Sequence, residues 1–449
     1  MGFGSLIADD MGLGKTLQVI TTLLKLKEDG ELDTHKALIV VPTTLLTNWE
    51  KEIRKFAPAL KTHTYHGANR SLKPLNEADA LITTYGVART ETAKLNKQKW
   101  LTLIIDEAQA IKNPGTAQTK AIKKIKAPVK IAMSGTPVEN RLSEYWSIFD
   151  FSNKGYLGNL RSFKEDFAAP IEIDRDQVQL TKFRKITEPF ILRRLKSDKS
   201  IIKDLPDKIE LDQYCRLTSE QTAIYQSVIE TTMKGVANAE GIQRKGQILK
   251  LITALKQVCN HPRQFLKKGS DAPELSGKCA LLFSLLKQIL GNDEKVLIFT
   301  QYQEMGRLLA KLIEAEFGTI APFLHGGVSR KGRDEMVENF QNNRTTRVMI
   351  LSLKAGGTGL NLTAASNVIH YDLWWNPAVE AQATDRAYRI GQNRNVMVHR
   401  FITKGTFEEK INQLLISKKE LANMTVSTGE KWIGDLSNEE LNEMIRLEN

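Results

Sequence analysis

Cysteine is scarce in this sequence, and long apolar runs are absent. The 449 residues include three cysteines, and Cys215, Cys259 and Cys279 are spaced too widely to form a zinc cluster or a CxxC redox pair from cysteines alone. A small, odd number of cysteines is typical of proteins from a reducing compartment. No apolar run approaches the ~18 residues that a membrane-spanning helix needs. These absences predict an intracellular, soluble protein.

Aromatic residues are also few, at 7%, but the composition is otherwise that of a folded protein. Hydrophobic residues make up 41% and charged residues 26%, which excludes collagen-like and wholly disordered chains. Lys and Arg number 64 against 52 Asp and Glu, so the net charge is +12. This excess predicts a polyanionic partner, nucleic acid or an anionic membrane, without choosing between them. The length suggests two or three domains of ~150 residues.

Two stretches of the chain alternate short apolar runs with amphipathic segments. Apolar runs bounded by Gly, Pro or polar residues are typical of buried parallel strands. They predict strands at Ser5–Ala8, Ala37–Val41, Ala80–Thr84, Leu101–Ile105, Val129–Met133, Val296–Phe299, Val348–Leu351 and Val368–Tyr371. Helical patterns lie at Leu45–Phe56, Met305–Phe317, Arg333–Phe340 and Ala378–Tyr388. This alternation indicates an α/β fold with two doubly wound parallel sheets, whose ligands bind beyond the carboxyl ends of the strands.

A helical, basic stretch separates the two α/β stretches. From Arg244 to Lys268 the chain has Lys and Arg residues and no acid, and Lys182–Lys199 is also rich in basic residues. Each run alone fits a solvated helix face, but two runs beside a nucleotide-binding core favour a nucleic-acid-binding surface. The predicted segments are a first lobe at 1–140, helical protrusions and a linker at 141–275, a second lobe at 276–415 and a helical tail at 416–449.

The segment "ADDMGLGKT" (Ala8–Thr16) follows a predicted strand and precedes a predicted helix. Gly12 and Gly14 allow backbone N–H groups to turn towards phosphate oxygens. Lys15 supplies a charge for the β- and γ-phosphates, and the Thr16 hydroxyl is placed to bind Mg²⁺. Asp9 departs from the strict GxxxxGK[ST] pattern, which has glycine there. A bare glycine turn is the weaker alternative, because the strand, loop and helix occur in the required order.

Two acidic residues follow another predicted strand. Asp106 and Glu107 come directly after Leu103-Ile104-Ile105. A carboxylate there can hold Mg²⁺, and the next one can orient the attacking water. An exposed acidic turn is the alternative for this tetrapeptide alone, but the phosphate loop upstream favours catalysis. Ser134-Gly135-Thr136-Pro137 also follows a strand, and either links the hydrolysis site to a neighbouring surface or forms a plain turn.

The second α/β stretch contains a glycine-rich segment, Gly356–Gly359, and two arginines. Arg386 lies in the predicted helix Ala378–Tyr388 and Arg389 directly follows it. Since the two are three residues apart, they are expected on one helix face. Two guanidinium groups there could act as arginine fingers on a γ-phosphate held by the other lobe. The alternatives are an ordinary surface arginine pair and a flexible glycine turn.

Taken together, these motifs resemble those of the Swi/Snf-type ATPases, the double-stranded-DNA translocases of helicase superfamily 2. The resemblance spans nearly the whole chain, and Ala355–Gln392 ("AGGTGLNLTAASNVIHYDLWWNPAVEAQATDRAYRIGQ") carries it most specifically. Asp9 is the normal residue of this family at its position. The other matching segments are "VVPTTLLTNW", "ITTY", "DEAQAIKN", "SGTPVENRLSEYWSIFDF", "FILRR", "LPDK", "QVCNHP", "VLIFTQY" and "LHGGVSRKGRDEMVENF".

The resemblance implies two RecA-like lobes with helical protrusions, and ATP turnover with Mg²⁺ that drives tracking along duplex DNA without strand separation. It implies Lys15, Asp106, Glu107, Arg386 and Arg389 as catalytic residues. It adds Gln382 to the nucleotide-binding set of Gly12, Gly14, Lys15 and Thr16, with Thr16 and Asp106 as metal ligands. The residues expected to contact DNA are Thr43, Thr84, Thr300, Gln301, Lys354, Thr358 and Trp375.

The resemblance also sets expectations for partners and context. Phosphate contacts carry no sequence information, so DNA binding is expected to be largely sequence-independent. We expect a monomeric motor that displaces DNA-bound proteins such as RNA polymerase or nucleoid proteins. We expect no association with a membrane. In a bacterium the protein would be cytoplasmic and associated with the nucleoid, and in a eukaryote it would be nuclear. The compact lobes favour a bacterial source.

The family has an adenine-recognising segment before its first motif, and this sequence offers no residues for it ahead of Ala8. We therefore expect the chain to be the motor region of a longer protein. Two other functions remain open at this point. One is an RNA-directed helicase of the same superfamily, and the other is a weakly active nucleic-acid clamp.

Overall fold

The chain folds into two compact units. The computed structural model describes residues 3–135, 141–196, 198, 205–237, 239–352, 360–374, 376–421 and 436–448. The first unit spans Met1–Asp204 and the second spans Leu205–Asn449. This boundary falls inside the predicted helical stretch 141–275, so the helices of that stretch are divided between the two units.

The first unit is built on a seven-stranded sheet with the strand order β3-β4-β2-β5-β6-β1-β7. Neighbouring strands pair in parallel throughout the sheet. The strands are β1 (Ser5–Ile7), β2 (Lys36–Val41), β3 (Thr62–Tyr65), β4 (Ala80–Thr84), β5 (Trp100–Ile105), β6 (Val129–Met133) and β7 (Ile191–Leu192).

Helices cover both faces of this sheet. On β2, Leu38 and Val40 enter one core cluster, whereas Ile39 and Val41 enter the other. A strand buried on both faces needs the continuous apolar run that predicted it. The helices are α1 (Lys15–Glu28), α2 (Glu31–Thr34), α3 (Leu46–Phe56), α4 (Tyr85–Thr90), α5 (Thr92–Leu95), α6 (Ala117–Lys124), α7 (Leu142–Ser152), α8 (Leu160–Phe163), α9 (Ala169–Glu172) and α10 (Gln177–Thr187).

The second unit contains a six-stranded sheet with the order β10-β11-β9-β12-β13-β8, again with parallel neighbours. Its strands are β8 (Lys208–Cys215), β9 (Val296–Thr300), β10 (Phe323–Leu324), β11 (Val348–Ser352), β12 (Asn367–His370) and β13 (Val396–Thr403). Its helices are α11 (Ser219–Ala237), α12 (Gly241–Asn260), α13 (Pro262–Leu266), α14 (Gly277–Gly291), α15 (Gln303–Phe317), α16 (Arg330–Asn342), α17 (Pro377–Thr384), α18 (Phe407–Leu421) and α19 (Asn438–Ile445).

The predicted α/β fold with two doubly wound parallel sheets is confirmed, and each predicted strand is present to within a residue or two. Five further strands, β3, β7, β8, β10 and β13, were not predicted. Four of them lack the apolar run on which the prediction depends. β7 and β10 are two residues long, β3 has the sequence Thr-His-Thr-Tyr, and β8 is a largely exposed strand at the sheet edge. β13 is buried but interrupted by His399 and Arg400.

The helices that lie in sequence between the two α/β stretches pack into different apolar clusters in the two units. In the first unit Tyr145, Phe149 and Phe183 pack among the sheet residues. In the second unit Leu251 and Leu255 of α12 pack with residues of α11, α18 and α19. Among the described helices, none combines the length and the apolar character that crossing a membrane requires.

Candidate functional site

The loop between β1 and α1 has the geometry of a phosphate-binding turn. Gly12 and Gly14 adopt φ values of 83° and 77°, which residues with a Cβ rarely adopt. Gly14 immediately precedes the first residue of α1, Lys15. The first-turn N–H groups of α1 therefore point back towards the loop, as an anion-binding helix terminus requires.

Lys15 lies across this loop. Its Nζ donates hydrogen bonds to the carbonyl oxygens of Asp9 at 2.7 Å and Asp10 at 3.2 Å. The end of β6 packs closely against the same place, because a Cβ on Gly135 would lie 2.5 Å from Met11 Cγ and 3.6 Å from Lys15 Nζ. The predicted "SGTP" turn thus begins beside the phosphate loop, although Thr136 and Pro137 lie outside the described residues.

Asp106 directly follows the carboxyl end of β5, which lies two strands from β1 in the sheet. Its N–H donates to the carbonyl of Val40 at 2.9 Å, which continues the sheet by one residue. Its carboxylate accepts hydrogen bonds from Trp49 Nε1 at 2.9 Å and from the N–H of Glu107 at 2.8 Å. Burial raises the pKa of Asp106, and these two donors and the charge of Lys15 act in the opposite direction.

Glu107 is held in an unusual backbone conformation. Its φ of 53° is left-handed, which costs a non-glycine residue of order 1–3 kcal/mol and is typical of functional sites. Gln109 Nε2 donates to Glu107 Oε2 at 2.6 Å, and Ser134 Oγ donates to Gln109 Oε1 at 3.1 Å. This chain of hydrogen bonds links the β6 end to the predicted water-orienting carboxylate.

Sequence reasoning missed three residues that support these carboxylates. Trp49 was predicted only as part of the helical pattern Leu45–Phe56 and of a family motif. Tyr85, whose hydroxyl donates to the Asp106 carbonyl at 2.7 Å, and Gln109 were assigned no role. Sequence reasoning could not find the roles of Trp49 and Tyr85. A buried aromatic residue gives the same apolar pattern whether or not the polar group at its tip donates a hydrogen bond.

The predicted DNA-contacting residues of the first unit occupy two different environments. Thr43 starts a short 3₁₀ turn after β2 and is exposed. Thr84 is buried and caps α4, where its hydroxyl accepts a 3.4 Å hydrogen bond from the N–H of Val87. Thr84 ends β4 and Thr43 lies two residues after β2, so both are at the sheet edge at which the phosphate loop lies.

In the second unit, Thr300 and Gln301 belong to a buried polar network. Asp372 accepts hydrogen bonds from Thr300 Oγ1 at 2.5 Å and from the N–H of Gln301 at 2.8 Å. Asn260 donates to the same carboxylate at 3.2 Å and accepts from Lys278 Nζ at 3.3 Å. Burial raises the pKa of Asp372, and the Thr300 hydrogen bond and the Lys278 charge oppose that rise. Lys354, Thr358 and Trp375 lie outside the described residues.

The helix predicted at Ala378–Tyr388 is wrong at its C-terminal end. α17 stops at Thr384, so Arg386 and Arg389 lie in the following turns and not on one helix face. Tighter turns replace the α-helical pattern here, since the N–H groups of Arg386 and Ala387 donate to carbonyls three residues back, those of Ala383 at 3.3 Å and Thr384 at 3.0 Å. The carbonyl of Arg386 accepts a hydrogen bond from the N–H of Leu362 at 2.9 Å. Arg386 is buried, and Arg389 donates to the Leu360 carbonyl at 3.1 Å. Gln382 is on α17 and half-buried.

The residues of the first unit fit a nucleoside triphosphate with Mg²⁺. Gly12 and Gly14 have positive φ values, which allow the loop to turn its N–H groups towards a phosphate, and Lys15 provides the adjacent cation. The Thr16 hydroxyl and the Asp106 carboxylate are the oxygen ligands that Mg²⁺ prefers. Within the described residues no cluster of three or more His, Cys, Asp or Glu side chains competes as a metal site.

Comparison with known proteins identifies the family of this chain. Residues 1–264 match the SNF2-related domain, and residues 278–391 match the helicase conserved C-terminal domain. The protein named "Putative ATP-dependent helicase/translocase YwqA" of Bacillus subtilis (strain 168) is 46% identical over 99% of this chain and 49% of its own length. Human "DNA excision repair protein ERCC-6" is 34% identical over 94% of this chain and 31% of its own length.

Solved structures give the same result. The Sulfolobus solfataricus SWI2/SNF2 ATPase core in complex with double-stranded DNA is 44% identical, with a TM-score of 0.50, and the match covers 100% of this chain and 94% of that chain. This chain spans about half the length, or less, of the curated relatives it matches. The matched domains and the confirmed fold together show that the chain belongs to the SNF2 family of helicase superfamily 2, the group of ATPases predicted from its motifs.

Proposed function

We propose that this chain is an ATP-dependent translocase on double-stranded DNA that remodels protein–DNA complexes without separating the strands. The observation that carries the proposal is the convergence of the phosphate loop, Gly135 and the Asp106–Glu107 pair at the carboxyl ends of β1, β6 and β5. The duplex bound to the Sulfolobus solfataricus relative supports DNA as the track. RNA polymerase or nucleoid proteins would be the displaced partners, and a bacterial nucleoid would be the location.

The chain's own residues divide the chemistry among them. Lys15 would neutralise phosphate charge, and the N–H groups at the start of α1 would hold phosphate oxygens. Thr16 and Asp106 would hold Mg²⁺, which supplies electrophilic stabilisation of the transferred phosphoryl group. Glu107 would accept a hydrogen bond from the attacking water and orient it. Gln109 positions Glu107, since its amide donates to Glu107 Oε2.

Substitution of Glu107 by Gln tests this assignment. The amide keeps the shape of the side chain but removes the charge that orients water. ATP should therefore bind within a few-fold of the parent affinity, while DNA-stimulated kcat falls by about 10²-fold or more. Glu77→Gln, at an exposed glutamate of the same unit, serves as the matched control and should leave kcat unchanged. A parental kcat in Glu107→Gln would contradict the role.

Trp49→Phe tests the support of the metal-side carboxylate. Phenylalanine keeps the ring in the core but removes the N–H that donates to Asp106. Loss of a hydrogen bond to a charged group costs about 1.5–3 kcal/mol, so half-maximal turnover should require about tenfold or more additional Mg²⁺. Trp100→Phe also loses a buried indole hydrogen bond, to the Leu95 carbonyl at 2.8 Å, and should not change the Mg²⁺ requirement. Equal Mg²⁺ curves for the two variants would contradict the role.

Arg389 remains a candidate arginine finger, with Arg386 as the second candidate. Arg389→Ala should bind duplex DNA with parental affinity but lose about 10³-fold or more of the DNA-stimulated ATP turnover, the contribution such arginines make in other phosphoryl-transfer enzymes. Arg394→Ala, an exposed arginine nearby, is the control. If Arg389→Ala retains the DNA-stimulated rate, Arg389 is not the arginine finger and Arg386 is the remaining candidate.

Salt titration tests the DNA proposal. Neutralised phosphates release counterions, so the logarithm of duplex affinity should fall linearly with the logarithm of salt concentration by about 0.9 per phosphate contact. Lys245 and Lys250 lie exposed on α12 in the basic run, and replacing both by Gln should weaken binding and flatten this slope. Replacing Lys287 and Arg307, exposed on α14 and α15, is the control. An unchanged slope would show that the basic run Arg244–Lys268 is an ordinary solvated helix face that does not bind DNA.

The same assay separates the alternative substrate. ATP turnover stimulated by duplex DNA more than by single-stranded DNA or RNA supports the translocase. Stimulation by single-stranded RNA alone would identify an RNA-directed helicase, and duplex binding without ATP turnover would identify a clamp.

A further inference from the structure

Asp9 is a buried carboxylate for which the chemistry above has no use. It occupies the place where the strict phosphate-loop pattern has glycine, and its side chain is fully buried. A buried carboxylate without partners is strongly disfavoured. Its presence beside a nucleotide-binding loop therefore calls for a structural reason.

The reason is Arg194, which lies 185 residues away in the chain. The Arg194 guanidinium forms an ion pair with Asp9 Oδ2, with Nη2 at 2.5 Å and Nε at 3.1 Å. The N–H of Arg194 donates to Asp9 Oδ1 at 2.8 Å, and Gln18 Nε2 donates to Oδ2 at 3.0 Å. Both carboxylate oxygens are thus hydrogen-bonded. Burial raises the pKa of Asp9, but the Arg194 and Gln18 hydrogen bonds outweigh it and hold the pKa below its usual value.

The main chain around Arg194 runs along the phosphate loop. We define the strap as Ile191–Lys196, which begins with β7. The N–H of Ala8 donates to the Leu192 carbonyl at 2.7 Å, and the N–H of Asp10 donates to the Arg194 carbonyl at 3.0 Å. The N–H of Lys196 donates to Asp10 Oδ2 at 3.0 Å. The strap therefore contacts the loop on both sides of Asp9, and these contacts extend beyond the two residues of β7.

Asp9 connects the strap to Lys15. The carboxylate of Asp9 is held by Arg194, while its carbonyl accepts the 2.7 Å hydrogen bond from Lys15 Nζ. Because both groups belong to one residue, the orientation of the Asp9 side chain limits the orientation of the peptide that Lys15 contacts. The Gln18 contact adds the first turns of α1 to the same anchor.

We propose that Arg194 is a positioning residue for nucleotide binding. Through its ion pair with Asp9, it holds the first half of the phosphate loop and Lys15 in the conformation that receives the nucleotide phosphates. Arg194 does not itself contact the nucleotide in this proposal. The inference rests on the phosphate-binding role proposed above for the loop.

The test measures affinity for a fluorescent ATP analogue, and KM and kcat for ATP, on the full chain. Arg194→Ala should weaken nucleotide binding by about tenfold or more, because small displacements of binding groups are costly, with a larger effect on KM than on kcat. Arg194→Lys keeps a cation near Asp9 and should recover most of the affinity. Arg193→Ala changes the neighbouring, exposed arginine and should match the parent in binding measured without DNA.

A double-mutant cycle distinguishes positioning from a general loss of structure. If Arg194 acts through Asp9, the variant carrying both Asp9→Asn and Arg194→Ala should bind ATP no more weakly than the weaker single variant. Additive losses would overturn the proposal, as would parental affinity in an Arg194→Ala variant that melts cooperatively. If Arg194→Ala does not fold, parental affinity in Asp9→Asn overturns the proposal instead.

Lys15→Ala separates this inference from the proposed function. Lost binding in Lys15→Ala together with parental binding in Arg194→Ala would overturn the positioning role alone. Parental binding in Lys15→Ala would overturn the phosphate-loop assignment itself.

Discussion

Parallel pairing of β1 with β6 and of β6 with β5 is the constraint on which the candidate site depends. It aligns the carboxyl ends of three strands that are far apart in the chain, so the loops that follow them start from one edge. The alignment extends past the strands, since the N–H of Ser134 donates to the Ile7 carbonyl at 3.0 Å and the N–H of Asp106 to the Val40 carbonyl at 2.9 Å. The loops that carry Lys15 and Asp106 therefore begin at the same edge of the sheet.

Buried carboxylates then specify the geometry that the sheet permits. Asp9, Asp106 and Asp372 each accept hydrogen bonds from a different element, namely the strap, α3 and the end of β9. Charges are expensive to bury unless they are paired, so conformations that break these contacts are disfavoured. In both units the result is a strand end and its loop held by donors from elsewhere in the chain.

Much of this architecture could be predicted from local pattern. Apolar runs located the interior strands because those strands are buried on both faces, and the order of strand, glycine loop and helix located Lys15. Pattern reading failed at β8 and β3, which are exposed or polar, and at the end of α17. There the Arg386 carbonyl accepts a hydrogen bond from the N–H of Leu362, and local sequence gives no signal of a contact from twenty-four residues upstream.

The sequence by itself determined the fold class, the phosphate loop and the acidic pair, because each depends on neighbours within a few residues. Only the tertiary structure decided that Trp49 donates to Asp106 and that Arg194 pairs with Asp9. A tryptophan on an apolar helix face has the same pattern whether or not its N–H has a partner. An arginine in a basic run likewise has the same pattern whether it meets solvent or a buried carboxylate. Partners brought together by sheet pairing leave no trace in local periodicity.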